Sequence, residues 1–218
     1  TVVHRFSADG SQPVAMDVAA DGTIYVADRG RRQVLVLNVD DVDATRAVAG
    51  NGTVRAAGDG TDALNAALYA PAGMAFAADG TLFFADRLNH LIRRVGADGI
   101  IRSTDDLSLN EPEDILFDRQ GRTFVADTGN DRVLRIDIDG RVVVVAGPVS
   151  AGSSRLSRPT ALAFDDQDRL LIADSGHRVV CRLERDGTLT TIAGNGATSP
   201  IDEGGPGTAS AILRPVDI

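Results

Sequence analysis

The feature that most constrains this sequence is a four-fold repeat built on the dipeptide Ala-Asp. Each copy ends a short apolar run, and its alanine lies 14 residues after a proline. The copies are Pro13 with Ala27-Asp28, Pro71 with Ala85-Asp86, Pro112 with Ala126-Asp127, and Pro159 with Ala173-Asp174. A unit of this length cannot bury its apolar face alone, so the copies are expected to stack on one another.

Each copy predicts four strands joined by turns. In the second copy, Met74 and Phe76 give the first strand an apolar residue at every second position. A nearly continuous apolar run at 81–86 predicts a second strand with both faces covered. A more polar third strand at 91–95, an Asp-Gly turn and a fourth strand at 100–103 complete the copy. Repeated four-stranded antiparallel units predict an all-β fold, a β-propeller whose blades have four strands.

The repeat places all 218 residues in a single propeller domain. Its blades are predicted to start near Pro13, Pro71, Pro112, Pro159 and Pro215. Four blades would be complete, with partial blades at residues 1–8 and after Pro215, so we expect a fragment of a longer chain. Two insertions, 50–70 and 194–214, open with Gly-Asn-Gly, and each holds an Ala-rich patch that predicts one or two helical turns. An insertion could pack over a blade junction or form a partner-binding rim.

The best copy of the repeat, Ala126-Asp127-Thr128-Gly129-Asn130-Asp131-Arg132-Val133, resembles the NHL repeat. The other copies carry Arg31, Asn89 or His177 at the asparagine position. The insertions resemble those of some bacterial extracytoplasmic NHL proteins. This resemblance implies a propeller that binds a protein or peptide, often as a sensor or scaffold part. An extracytoplasmic location is likewise implied by the resemblance alone.

Composition narrows the classes of partner. The net charge of −9 argues against a nucleic acid or an anionic membrane as the main partner. It also disfavours the RNA-binding NHL proteins, which present basic faces. No apolar run approaches 18 residues, so no membrane-spanning segment is expected. The single cysteine, Cys181, excludes an internal disulfide and is expected to be a small buried apolar residue.

We predict a non-catalytic recognition role for the loops that follow each second strand. Long or polar loops on a rigid scaffold often carry binding residues. The candidate partner-binding residues are Arg29, Arg32, Arg87, Asn89, His90, Asn130, His177 and Arg178.

The alternative is a metal-dependent lyase or hydrolase with a site in the central channel. Asp114 and Asp217 share one position, the second after a proline, and are the candidate ligands of calcium or zinc. His90, His177 and His4 are the candidate imidazole ligands. The four Ala-Asp aspartates could ring a central metal, or they could accept hydrogen bonds from the following turn. We predict that the aspartates are structural and that no cofactor is bound.

Overall fold

The computed structural model describes residues 10–37, 45–54, 58–104, 107–148, 156–198 and 206–218. Within these ranges every strand belongs to one of four antiparallel sheets, and each sheet has four strands in sequence order. Helical structure in the same ranges is limited to 3-10 turns of three residues. The fold class is therefore all-β, with the four-stranded blades of a β-propeller, as predicted.

The chain divides into two compact units, Thr1–Glu111 and Pro112–Ile218. The first unit holds two blades. Its strands are β1 (Pro13–Val18), β2 (Ile24–Asp28), β3 (Gln33–Leu37), β4 (Thr45–Ala49), β5 (Pro71–Phe76), β6 (Leu82–Asp86), β7 (Leu91–Val95) and β8 (Ile101–Ser103). We call β1–β4 blade 1 and β5–β8 blade 2.

The second unit also holds two blades. Its strands are β9 (Asp114–Phe117), β10 (Thr123–Asp127), β11 (Arg132–Ile136), β12 (Val142–Ala146), β13 (Pro159–Phe164), β14 (Leu170–Asp174), β15 (Val179–Leu183) and β16 (Leu189–Ala193). We call β9–β12 blade 3 and β13–β16 blade 4. A single domain across both units stays a prediction.

The second strand of each blade is covered on both faces. In β10 the four residues after Thr123 are all buried, and β6 and β14 are buried at four of five positions. The first and third strands flank the second, so its ladder hydrogen bonds are satisfied on both sides. The continuous apolar runs in the sequence follow from this burial.

A tight turn joins the first and second strands of each blade, as predicted. In blade 2 the Gly80 N–H donates to Ala77 O, and Gly80 has a φ of 80° that favours glycine. Blade 4 makes the same turn with Asp168, whose φ is 57°. Aspartate tolerates this left-handed region better than most residues, so the turn persists without glycine.

Each unit has its own apolar core between its two blades. In the first unit Val34 of blade 1 packs with Phe84 of blade 2 and with Leu68 of the first insertion. In the second unit Val133 of blade 3 packs with Ile172 of blade 4. The stacking expected from the repeat is thus present inside each unit.

The ends of the repeat differ from the prediction in detail. Strand β9 begins at Asp114, two residues after the proline that starts its repeat. Residues 215–218 form no strand, although Pro215 itself is buried. The partial blade predicted at 1–8 lies outside the described residues. Each Ala-rich patch contains one 3-10 turn, Ala63–Asn65 in the first insertion and Gly207–Ala209 in the second.

Candidate functional site

The four Ala-Asp aspartates are buried, and three of them bind the chain that enters their own blade. Asp28, Asp86 and Asp127 are 0% exposed, and Asp174 is 2% exposed. Asp86 accepts the Tyr69 N–H at 2.7 Å, while Gln12 and Ser157 donate to Asp28 and Asp174 at 2.9 Å. These donors lie one or two residues before the proline of the first strand. The carboxylate therefore ties the end of strand two to the start of strand one.

The same carboxylates hold the turn that follows them. The side-chain nitrogens of Asn89, Asn130 and His177 each donate to the aspartate three residues earlier, at 2.8 Å. In blade 1 the donor is instead the backbone N–H of Arg31, at 3.0 Å. Each aspartate thus accepts hydrogen bonds from protein donors, which at Asp28 include the Ser11 hydroxyl. These contacts support the structural alternative for the four aspartates over a metal ring.

A left-handed residue closes each of these turns. Arg32, His90, Asp131 and Arg178 lie four residues after the aspartate and have φ between 55° and 59°. Residues without glycine's freedom rarely adopt this conformation, so the surrounding contacts must enforce it. Residue type does not predict this feature, because the four residues share no chemical type. Its only signal is their fixed spacing from the aspartate.

Two of these corner side chains also accept a backbone N–H from the segment that follows the fourth strand of their own blade. His90 Nδ1 accepts the Glu111 N–H at 3.0 Å, and an Asp131 carboxylate oxygen accepts the Arg158 N–H at 2.7 Å. Since Nδ1 accepts here, the His90 proton resides on Nε2. Within its own unit, each of these two side chains therefore makes a structural contact as well as lying in a surface turn.

The predicted partner-binding residues all follow a second strand, so within each unit they lie at the same end of its blades. We call this end the turn face. The first unit carries Arg29, Arg32, Arg87, Asn89 and His90, and the second carries Asn130, His177 and Arg178. Their role in binding stays a prediction.

Several turn-face side chains have partners inside their own unit. Arg32 Nη1 donates to Gly52 O at 3.2 Å, and Arg87 forms an ion pair with Glu111. The His177 side chain is 51% exposed although it donates to Asp174. In the described part of the chain, no side-chain hydrogen bond or ion pair involves Arg178.

The candidate metal ligand Asp114 connects the two blades of the second unit. Its oxygens accept the N–H groups of Leu162 in blade 4, at 2.8 Å, and of Ile115, at 2.9 Å. Burial, with a smaller effect from the negative charges of Asp217 and Glu113, raises the pKa of Asp114 to about 7, although the Leu162 and Ile115 hydrogen bonds oppose the rise. Asp217 is exposed and accepts the Ile218 N–H at 2.9 Å. Both carboxylates thus have amide donors that account for their positions.

Across the six described ranges, no group of three His, Cys, Asp or Glu side chains could hold a metal ion. His90 and His177 make the separate contacts described above, and His4 lies outside these ranges.

Asp17 repeats the role of Asp114, although the sequence analysis did not predict it as a link between blades. It accepts the Phe76 N–H at 3.2 Å and so joins blades 1 and 2.

The first insertion is part of the core of its unit. Ala66 and Leu68 are 0% exposed and pack between blades 1 and 2. Residues on either side of Asp62 pair with the outer strand of blade 2: Ile101 donates to Thr61 O, and the Ala63 N–H donates to Gly99 O, both at 2.9 Å. The first insertion therefore packs over a blade junction, one of the two alternatives. A role in partner binding stays a prediction.

Blade 2 buries an arginine where the other blades bury an apolar residue. Arg93 is 1% exposed, and the equivalent positions hold Leu35, Leu134 and Cys181. Its guanidinium lies 3.8 Å from Asp59 and 4.0 Å from Asp86. Within the described ranges Nε and Nη2 of Arg93 have no hydrogen-bond partner. Desolvation raises the pKa of Asp86, and Asn89, Tyr69 and Arg93 oppose that rise.

Cys181 is 5% exposed, and burial raises the pKa of its thiol. A thiol in this environment is a poor nucleophile, as expected for a packed apolar residue.

None of the described helices has the length and apolar character needed to cross a membrane.

Comparison with known proteins supports the fold alone. No protein-family model and no curated protein sequence matches the chain. Three of the similar solved structures are virginiamycin B lyase from Staphylococcus aureus, a nidogen/laminin complex and an auxiliary nutrient binding protein from Bacteroides ovatus. Their identities to this chain are 16%, 19% and 13%, and their TM-scores are 0.62, 0.65 and 0.62.

The alignments cover 87%, 85% and 90% of this chain, but 58%, 66% and 50% of the other three. This chain therefore spans less than two thirds of each neighbour's length. The structural neighbours are β-propeller proteins and include both an enzyme and binding proteins. Membership of the NHL family stays a prediction, since no family model supports it.

Proposed function

We propose that this protein is a non-catalytic recognition module that binds a protein or peptide through its turn face. The observation that supports the proposal is that a buried aspartate fixes the turn after the second strand of each blade. Asp86, for example, holds both the entering backbone at Tyr69 and the turn side chain Asn89. A surface that is already ordered loses little conformational entropy when a partner binds.

The charges of the turn face favour a partner with acidic groups. Arg29, Arg31 and Arg32 lie together in blade 1, and Arg87 occupies the position of Arg29 in blade 2. Arginine side chains are well suited to bidentate contacts with carboxylates. This local concentration of cations contrasts with the net charge of −9 for the whole chain.

Two neighbours support a binding role without assigning a partner. One structure is a nidogen/laminin complex, and another is an auxiliary nutrient binding protein. At 19% and 13% identity these likenesses reach only the fold, so the partner must be found by experiment.

Selection from a displayed peptide library tests the proposal. Peptides selected on the wild-type protein should lose affinity by about tenfold for the variant Arg29→Ser/Arg32→Ser, which removes two cations from the turn face. The variant Arg119→Ser is the control, because Arg119 lies in the turn between β9 and β10, at the other end of its blade. Peptides that bind all three proteins equally would contradict the proposal.

A metal-dependent enzyme is the second candidate, and the likeness to virginiamycin B lyase favours it. Metal analysis of the purified protein separates the two functions. Stoichiometric zinc or calcium that is lost in Asp114→Ala would favour the enzyme and would contradict the recognition module. The hydrogen bonds of Asp114 to Leu162 and Ile115 lead us to expect no such stoichiometric metal.

A further inference from the structure

A second candidate site lies in the first unit, at the end of the blades away from the turn face. It is a cleft of about 390 Å³ between blades 1 and 2. Its floor includes the turns around Gly80 and Gly99, which precede the second strand and the fourth strand of blade 2. Because a second strand runs from this end toward its aspartate, the cleft and the turn face are on opposite sides of the unit.

Apolar side chains form most of the walls of the cleft. Tyr25 of blade 1 and Phe76 of blade 2 meet edge to face, with ring centroids 4.9 Å apart. Val48 and Val95 extend the apolar surface along the two blades. Walls of this kind suit an aromatic or branched aliphatic group that leaves water on binding.

The first insertion supplies another wall of the cleft. Leu64 of its 3-10 turn lines the cleft and is 45% exposed, so its side chain is accessible to a ligand. The adjacent residue Ala63 is anchored in the core at 1% exposure, so the 3-10 turn is held in place. The cleft is therefore a product of the insertion, rather than a feature of every blade junction.

Two charges of opposite sign line the same cleft. Arg46 is exposed, and within the described ranges its guanidinium makes no hydrogen bond or ion pair. Asp62 uses one carboxylate oxygen to cap the 3-10 turn, where it accepts the Leu64 N–H at 2.8 Å. Its other oxygen has no protein donor in the described part of the chain. A cation and a carboxylate oxygen are thus available beside an apolar surface.

We propose that this cleft binds a small apolar zwitterion, an amino acid with an aromatic or branched aliphatic side chain. The ligand carboxylate pairs with Arg46, its ammonium group with Asp62, and its side chain with the rings of Tyr25 and Phe76. A purely anionic ligand would be repelled by Asp62, and a purely cationic one by Arg46. The volume is near the lower end for ligand sites, which fits one amino acid.

Titration of the whole chain with L-phenylalanine, followed by amide NMR, tests the proposal. We expect the amide signals of Gly80, Ala97 and Gly99 to shift, with a dissociation constant on the order of 1 mM. 3-Phenylpropionate, which lacks the ammonium group, and 2-phenylethylamine, which lacks the carboxylate, should each bind about tenfold more weakly.

Two matched variants test whether Arg46 and Asp62 bind the charged groups of the ligand. Arg46→Gln should weaken L-phenylalanine binding about tenfold and leave 2-phenylethylamine binding unchanged or stronger. Asp62→Asn should weaken L-phenylalanine binding about tenfold and leave 3-phenylpropionate unchanged or stronger, while asparagine still caps the 3-10 turn. Arg119→Gln, in the second unit, should leave all three titrations as in the wild type.

The proposal is overturned if L-phenylalanine moves no amide signal at the cleft. It is also overturned if the shifts fall on the turn face, or if Arg46→Gln and Asp62→Asn bind L-phenylalanine like the wild type. Circular dichroism of each variant confirms that its sheets are intact before binding is compared. The turn-face hypothesis predicts none of these shifts, so the two proposals fail separately.

Discussion

Asp114 is a half-buried residue whose carboxyl pKa is raised close to neutral pH. Burial raises this pKa from 3.8 to about 7, so the folded protein binds more protons than the unfolded chain between these values. The contribution of Asp114 to stability is therefore greatest below pH 4 and falls as the pH rises to 7. Asp114→Asn removes this dependence.

Denaturation of the wild type and Asp114→Asn at pH 5 and pH 8 measures the effect. The difference in unfolding free energy between the two proteins should change by about 2 kcal/mol, with the wild type losing relative stability at pH 8. Parallel pH profiles for the two proteins would show that Asp114 is solvated and titrates normally.

Arg93 is a buried cation at a position where the other blades have an apolar residue, so we expect an apolar side chain to replace it at little cost. Breaking a buried ion pair usually costs about 3–5 kcal/mol, because one charge is left without its partner. Here Asp86 keeps the Tyr69 and Asn89 donors, and the other blades bury the equivalent aspartate beside an apolar residue. We therefore expect Arg93→Leu to change the unfolding free energy by less than about 1 kcal/mol.

Asp86→Ala is the comparison for this substitution. It leaves the Tyr69 N–H and the Asn89 amide without their acceptor, so its cost should be about 3 kcal/mol in urea denaturation. If Arg93→Leu proved as costly as Asp86→Ala, the ion pair rather than the hydrogen bonds would hold this turn.

Individual residues could be predicted where their chemistry is local. The repeated Ala-Asp predicted aspartates that accept hydrogen bonds from the following turn; each of the four does so, through a backbone N–H in blade 1 and through a side chain in the other blades. The left-handed corners, Arg32 and Arg178 among them, could not be foreseen, because residues of different chemical type adopt the same conformation at this position. The links made by Asp17 and Asp114 also depend on a neighbouring blade, which the sequence does not show.

The first insertion behaves as a structural element, although its sequence looks like a loop. Leu68 is fully buried between two blades, and Leu64 in the same insertion is 45% exposed. Leu68→Ala should cost about 3 kcal/mol of unfolding free energy, whereas Leu64→Ala should cost less than about 1 kcal/mol. Thermal denaturation of both variants makes the comparison, and equal small losses would mean that the insertion is not part of the core.

Strands were predictable to within one or two residues because their signals are also local. Period-two patterns such as Met74 and Phe76, with turns such as Asp79-Gly80, fix both the strand and its end. The burial of Ala66 and Leu68 was not predictable, since an Ala-rich patch is equally compatible with an exposed turn. The cleft beside Leu64 follows from that same burial and was missed for the same reason.

Each half of the molecule has an apolar cluster made only of its own residues. We expect a substitution in one cluster to weaken that half first. In native-state hydrogen exchange, Leu68→Ala should lower the protection of β6 and β7 by at least about tenfold and leave that of β14 within about threefold. Equal loss of protection in β14 would show that the two halves open together.

The repeat predicted the fold of the whole molecule because four copies specify the same four-stranded unit. It could not decide the function, since β-propeller neighbours include a lyase and binding proteins. Function depends on side chains at turns and clefts, where the copies differ most. The turn face and the insertion cleft are therefore the places to test it.

The hydrogen bonds between Thr61–Ala63 and Gly99–Ile101 have a consequence for the behaviour of this protein at high concentration. An outermost strand with open amides can recruit a strand from another molecule and seed an aggregate. In β8, the outermost strand of blade 2, hydrogen bonds to the first insertion already satisfy some of these backbone groups. Substitutions that detach the 3-10 turn would therefore threaten solubility as well as stability.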